Sequence, residues 1–204
     1  MRWKREAMAV FRHTTDLPEE ARGGVVAIGN FDGVHRGHGA VFAEARERAA
    51  RLNTVATVLT FEPHPGELFR PESTPFRLSS LRTKVRLLED AGMAHLFVLQ
   101  FDWAFARISA DAFVDDIIAA NLQARHVVTG RDFRFGHRRK GDASLMRIKA
   151  AQHGFGVSAL DVCQRAAHAC FSRGCPAPTF GFPLVTCLRP IGKAGTGKTV
   201  LGTG

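Results

Sequence analysis

Two histidines three residues apart, His35 and His38, close the segment Gly29-Asn30-Phe31-Asp32-Gly33-Val34-His35-Arg36-Gly37-His38. Imidazoles can donate hydrogen bonds to charge that develops on a phosphate, and a pair spaced i, i+3 at a helix start can face the same phosphate. Glycines at 29, 33 and 37 let the backbone approach a ligand without a Cβ in the way. At a strand-to-helix junction, free N–H groups and the positive end of the helix dipole favour an anion. Nucleotidyl transfer is a chemistry such features could serve, since it needs positioning and charge stabilisation more than covalent catalysis. A lone HxxH would read as a helix cap or an incidental metal ligand. The three glycines, the strand before and the helix after turn the reading toward function.

Two other loops carry unusual residues. Thr60-Phe61-Glu62-Pro63-His64-Pro65 ends an apolar run, and its two prolines predict a rigid, pre-shaped loop. Gly130-Arg131-Asp132 follows another apolar run, and Arg134, Arg138 and Arg139 continue the basic character, the last two reading as a solvated turn.

The elements that must position these loops alternate in type. Apolar, β-branched runs at Val25–Ile28, Thr54–Phe61, His95–Leu99, His126–Thr129 and Gly156–Leu160 predict strands. Between them, amphipathic periodicity predicts helices over Ala40–Leu52, over Leu81–Ala91 stopped by Gly92, from an N-cap at Ser109, and over Ala143–His153. Such alternation predicts an α/β fold: a Rossmann-like parallel sheet with helices on both faces. In these sheets ligands bind beyond the carboxyl ends of the strands, where the loops after Ile28 and Thr129 both fall.

Composition narrows the class. With 45% hydrophobic residues the chain can build a core, which argues against disorder. No run approaches the roughly 18 apolar residues of a membrane span. No signal-like apolar run follows Arg2, Lys4 and Arg5, so the expectation is a soluble, cytoplasmic protein without a membrane partner. The net charge of +9 is spread along the chain without a nucleic-acid motif, so no nucleic-acid partner is expected. The four cysteines all lie from Cys163 onward, with no CxxC pair or finger-like spacing, so neither a zinc site nor any other protein metal site is expected. After about Asp161 the strand–helix pattern dissolves. Residues 162–204 read as a poorly structured tail without a second domain, set against a body over 10–161.

The segment GNFDGVHRGH resembles the HxGH signature of nucleotidylyltransferases, in the form carried by bacterial FAD synthetases. Three further segments resemble the N-terminal domain of those bifunctional enzymes, in the same order: Thr60–Pro65, Leu81-Arg82-Thr83-Lys84 with its helix, and Thr129-Gly130-Arg131-Asp132-Phe133-Arg134-Phe135-Gly136. The resemblance implies a nucleotidylyltransferase-type fold and FMN adenylylation, with ATP and FMN as substrates and Mg²⁺ on the triphosphate. It implies His35 and His38 as catalytic residues. Gly29, Asn30, Phe31, Asp32, Gly33, Gly37, Arg131 and Asp132 would lie at the nucleotide. Phe61, Pro63, His64, Pro65 and Phe69 would lie at the flavin, with apolar and aromatic surface suited to a flat isoalloxazine ring.

Two departures accompany the resemblance. The family's Ser/Thr-rich motif ending in Arg, which follows the fifth predicted strand, has no visible equivalent at Asp161-Val162-Cys163-Gln164-Arg165-Ala166-Ala167-His168. A frameshift or damaged gene end would explain that and the abrupt change in Cys and Pro usage. Gly192–Thr199 fits the Walker A pattern literally, but too few residues follow it for a helix, so coincidence is the expectation. Riboflavin kinase activity is not expected, for want of a domain to carry it. Two rivals stay open: an adenylyltransferase for another phosphate-bearing acceptor, and a degenerate chain that binds nucleotide or flavin without catalysis. The sequence leaves the oligomeric state and the true start (Met1 or Met8) open.

Overall fold

The computed structural model describes residues 8–69 and 78–161. Six strands form one parallel sheet in the order β1-β4-β3-β2-β5-β6: Ala9–Phe11, Val25–Ile28, Ala56–Glu62, His95–Gln100, His126–Gly130 and Gly156–Leu160 are β1 to β6. The expected Rossmann-like α/β architecture is what the backbone forms. Its central strands read as continuous apolar runs because both faces are covered. Val26, Ile28, Leu59, Phe61, Phe97, Leu99 and Val127 point to one side. Val25, Ala27, Val58, Leu96, Val98 and Val128 point to the other.

Helices α1 (Arg36–Arg51) and α3 (Leu81–Asp90) cover the second of these faces through Val41, Phe42, Ala45, Ala49 and Leu88. The first face is covered by α4 and α5 (Ala143–His153) through Phe113, Val114, Ile117, Ile118, Met146 and Ala150. Helix α4 opens as Ala110–Ala112 and continues with wider, π-type winding over Phe113–Asn121. The expected cap is present: Ser109 Oγ accepts from the Ala112 N–H at 3.0 Å. Asp142 caps α5 in the same way, accepting from the N–H groups of Ser144 and Leu145.

Four differences from the sequence expectation have physical causes. Strand β1 was not foreseen: three residues on a sheet edge, with Val10 exposed, leave no periodicity to read. It pairs with β4 from Ala9 to Phe11, across the expected start of the body at residue 10. Helix α1 starts at Arg36 rather than Ala40, because the two histidines themselves open its first turn, and Leu52 lies past its end and exposed. Strand β3 begins at Ala56, not Thr54, whose hydroxyl instead donates to the Gly23 carbonyl. The second proline of FEPHP does not continue a loop; it opens a short helix, α2 (Pro65–Phe69), a position where proline's fixed φ is favourable. The expected tail, the Walker-like segment and the place of the Ser/Thr–Arg motif lie outside the described residues, apart from Asp161.

The direction of the connections reverses at β2. The chain runs outward from β2 to β3 and β4, then crosses to β5 and β6 on the other side. Ligands in open α/β sheets favour such a switch point. The loops after β2 and β5 leave neighbouring strands there, with Ile28 in register with Thr129.

Candidate active site

The glycine loop is shaped by its own side chains. Phe31 lies in the left-handed region at φ 45° and Val34 at φ 34°, costing on the order of 1–3 kcal/mol each. Burial offsets the cost at Phe31. Its ring is 2% exposed, packed edge-on to His38 and tilted against Phe42. A Cβ on Gly29 would stand 3.0 Å from that ring, so this glycine makes room for Phe31. Gly33, at φ +70°, would place a Cβ 2.9 Å from Leu78. The loop therefore requires these two glycines for its own folding, before any ligand arrives.

The segment before α3 grips the loop from outside. Asp32 accepts from the N–H groups of Leu78 and Ser79 at 3.0–3.1 Å and from the Ser79 hydroxyl, while Gly33 N–H donates to Ser79 Oγ. Partial burial opposes ionisation of Asp32, yet these hydrogen bonds and the Lys84 ammonium outweigh it and hold the carboxyl below its ordinary range.

His35 and His38 meet face to face, ring centroids 3.6 Å apart and planes 21° from parallel. His35 is exposed and ends the loop; His38 is half-buried in the first turn of α1. Burial, then the neighbouring His35, push the His38 imidazolium down to about 4; Asp32 favours the charge and Lys84 opposes it. At neutral pH His38 is therefore an uncharged ring with one N–H to give. Its Nδ1 is buried and, among the described residues, has no hydrogen-bond partner.

The FEPHP loop joins this group directly. The Asn30 side-chain amide and the His64 imidazole share a hydrogen bond of 3.1 Å. Behind them the Asn30 carbonyl accepts from Thr60 Oγ1 at 3.1 Å and from Lys84 Nζ at 3.0 Å. Lys84 also pairs with Glu62 at 2.9 Å. The Asn30–His64 hydrogen bond thus ties the loop after β2, which carries His35 and His38, to the loop after β3.

The other expected residues fall into three settings. Phe61 is 6% exposed, its ring among Phe101, Phe105 and Phe113. Phe69 on α2 is 55% exposed and meets Phe101 and the equally open Trp103 edge-on, at 5.9 and 5.7 Å. Pro63 is exposed and Pro65 half-buried beside them. Arg131 and Asp132 are exposed in the turn after β5, where Arg131 pairs with Asp161 at 2.8 Å. No group of three His, Cys, Asp or Glu able to hold a metal ion occurs among the described residues. None of their helices is long and apolar enough to cross a membrane.

Sequence reasoning missed Ser79 and Trp103 as parts of this corner, and it met Lys84 only as the end of the Leu81–Lys84 segment, without a role. Lys84 did leave a signal. It interrupts the apolar stripe Leu81–Val85–Leu88, and a lysine there must find a partner. Nothing in the sequence places Trp103 beside Phe69.

A parallel α/β sheet with an HxGH turn at its switch point defines a nucleotidylyltransferase-type domain. The FAD synthetase family model matches residues 17–173, and the chain belongs to that family. It is 39% identical over 144 residues to the bifunctional riboflavin kinase/FMN adenylyltransferase of Escherichia coli (strain K12), covering 71% of this chain and 45% of that one. Against the enzyme of the same name from Pseudomonas fluorescens it is 40% identical over 152 residues, covering 74% and 49%. The chain thus spans about half the length of the curated relatives it matches. Among solved structures, one described as a macrolide-efflux protein from Streptococcus pneumoniae superposes with a TM-score of 0.65 at 25% identity, over 76% of this chain and 50% of that one.

Proposed function

We propose that this chain transfers AMP from ATP to FMN, giving FAD and pyrophosphate. The observation that carries the reading is the Asn30–His64 hydrogen bond, which ties the loop bearing the stacked His35–His38 pair to the FEPHP loop. A phosphate acceptor on one loop would face a nucleotide on the other. An oxygen of the FMN phosphate attacks the α-phosphorus of ATP. The bond from that phosphorus to the α–β bridging oxygen breaks, and pyrophosphate leaves with the electron pair.

The protein's part is positioning and electrostatics. The loop from Gly29 to Gly37 and the first turn of α1 would hold the triphosphate, with Arg131 and Asp132 at the neighbouring strand end. Magnesium would enter with ATP on the triphosphate, which suits an ion that keeps its waters and substrate phosphates as ligands. His38, neutral at physiological pH, has an N–H to direct at the charge growing on the phosphate oxygens. His35, stacked on it and exposed, supplies the second donor. The open Phe69–Trp103 surface with Pro63 and Pro65 offers the isoalloxazine a flat apolar seat, whereas Phe61 supports it from the core.

The test is to incubate the purified chain with FMN, ATP and Mg²⁺ and measure FAD and pyrophosphate. The expected result is stoichiometric formation of both, lost in His38→Ala. Absence of FAD from folded wild-type chain that still binds FMN and ATP would overturn the reading.

A further inference from the structure

Lys84 is the charged side chain least expected where it lies. It is 3% exposed, beneath the glycine loop, on a helix stripe that an apolar residue would fill. Its ammonium spans two loops, donating to the Asn30 carbonyl at 3.0 Å and to Glu62 Oε1 at 2.9 Å. Asn30 precedes the histidine turn, and Glu62 is the last residue of β3, immediately before Pro63-His64-Pro65. The same stretch of chain, from Leu78 to Lys84, also holds Asp32 and Gly33 through Leu78 and Ser79. Desolvating an ammonium is costly, and a well-packed apolar replacement of a buried ion pair is often neutral or stabilising. Stability alone therefore does not account for a lysine here.

We propose that Lys84 is a positioning residue that fixes the nucleotide loop and the flavin loop relative to each other, so that both substrates reach the histidine pair in one geometry. The proposal rests on the FMN adenylylation reading above. An ammonium suits the task because its donors can point at a carbonyl of one loop and a carboxylate of the other at once. Its charge has a second effect. Burial and then His35 disfavour the His38 imidazolium, Asp32 favours it, and Lys84 adds the smallest push against it.

The experiment uses the full chain with Lys84→Met, Lys84→Arg and the double variant Glu62→Gln/Lys84→Met, which removes both charges in case the single variant does not fold. FAD formation is measured with each substrate varied, thermal melts report folding, and His38 is titrated by NMR. In the folded Met variant kcat/KM should fall on the order of 10- to 100-fold for ATP and FMN alike, as for a slight misplacement of the reacting groups. His38 should titrate at higher pH than in wild type, and Lys84→Arg should recover part of the activity. Folded variants within about twofold of wild type would overturn the proposal, as would a loss confined to one substrate. If wild-type chain makes no FAD, the functional reading fails by itself. Lys84 is then judged by calorimetric affinities for Mg–ATP and FMN, which must both weaken in the folded variants for the proposal to stand.

Discussion

Two histidine-bearing corners of this molecule are built in opposite ways. Between α4 and α5, His153 Nε2 meets Asp115 at 2.6 Å, and Lys149 bridges Asp115 and Asp111 at 2.7 and 3.0 Å. Hydrogen bonds from Lys149 and then His153 hold the Asp115 carboxyl below its ordinary range. At the switch point, His38 has an aromatic neighbour on either side, a second imidazole stacked on it and a buried ring nitrogen without a partner among the described residues. In the first corner each of these groups has an acidic or basic partner. The second leaves that ring nitrogen without a partner among the described residues. Buried polar atoms are ordinarily satisfied, and Arg22 Nε and His95 Nδ1 share the His38 exception, so what sets the His38 corner apart is the glycine loop and helix start beside it.

The contrast is sharpest in activity. Replacing His38 by Ala should lower kcat by on the order of 10²–10³, the loss of one transition-state donor, with the melting curve little changed. Asp115→Asn should leave FAD formation untouched. Retained activity in the first variant, or lost activity in the second, would erase the distinction.

The proposed flavin corner divides by burial. Phe61→Ala empties a core site and should cost about 3–5 kcal/mol of stability by urea titration. Trp103→Ala should leave stability nearly unchanged and raise the KM for FMN by about 2- to 10-fold, the worth of one aromatic contact, without moving the KM for ATP. Equal effects on both substrates would remove Trp103 from the flavin surface.

Acid should act on the switch point more than on the helix pair. The folded pKa of His38 is depressed from 6.5 to about 4, so folding favours its neutral form. The stability that this neutral state carries is present above about 6.5 and is lost as pH falls toward 4, at about 1.4 kcal/mol per pH unit within that window. His126 is shifted in the same direction, by burial first and then by Arg48, against the pull of Glu44. It joins Ser158 at 2.9 Å, which in turn donates to Glu44. Urea melts at several pH values should steepen between neutrality and 4, and His38→Gln should flatten part of that slope. The smallest effect belongs to Asp115→Asn, a half-exposed pair whose loss should lower Tm by no more than about 4 °C.

Much of the fold was legible because its signals are local. The five central and outer runs from Val25 to Leu160 announce themselves by β-branched apolar composition, and α5 ends at the expected His153 with Gly154 in the left-handed region behind it. Strand β1 and the short α2 carry too few residues for any period to show. In the site, the HxGH turn and the FEPHP segment were readable as motifs, but not their hydrogen bond, because Asn30 and His64 are joined only when β2 and β3 pair.

The amino-acid sequence by itself determined the class of sheet, the place of its loops and the residue types that could meet a phosphate. These follow from periodicity and spacing, which are properties of a few consecutive residues. Only the tertiary structure decided which side chains are spoken for. Asp32 is taken by Leu78 and Ser79, Phe61 by the core, and Lys84 by two loops, while His38 Nδ1 has no partner among the described residues and the Phe69–Trp103 surface stays exposed. Whether a group is satisfied depends on partners distant along the chain, and those distances exist only after the sheet has closed.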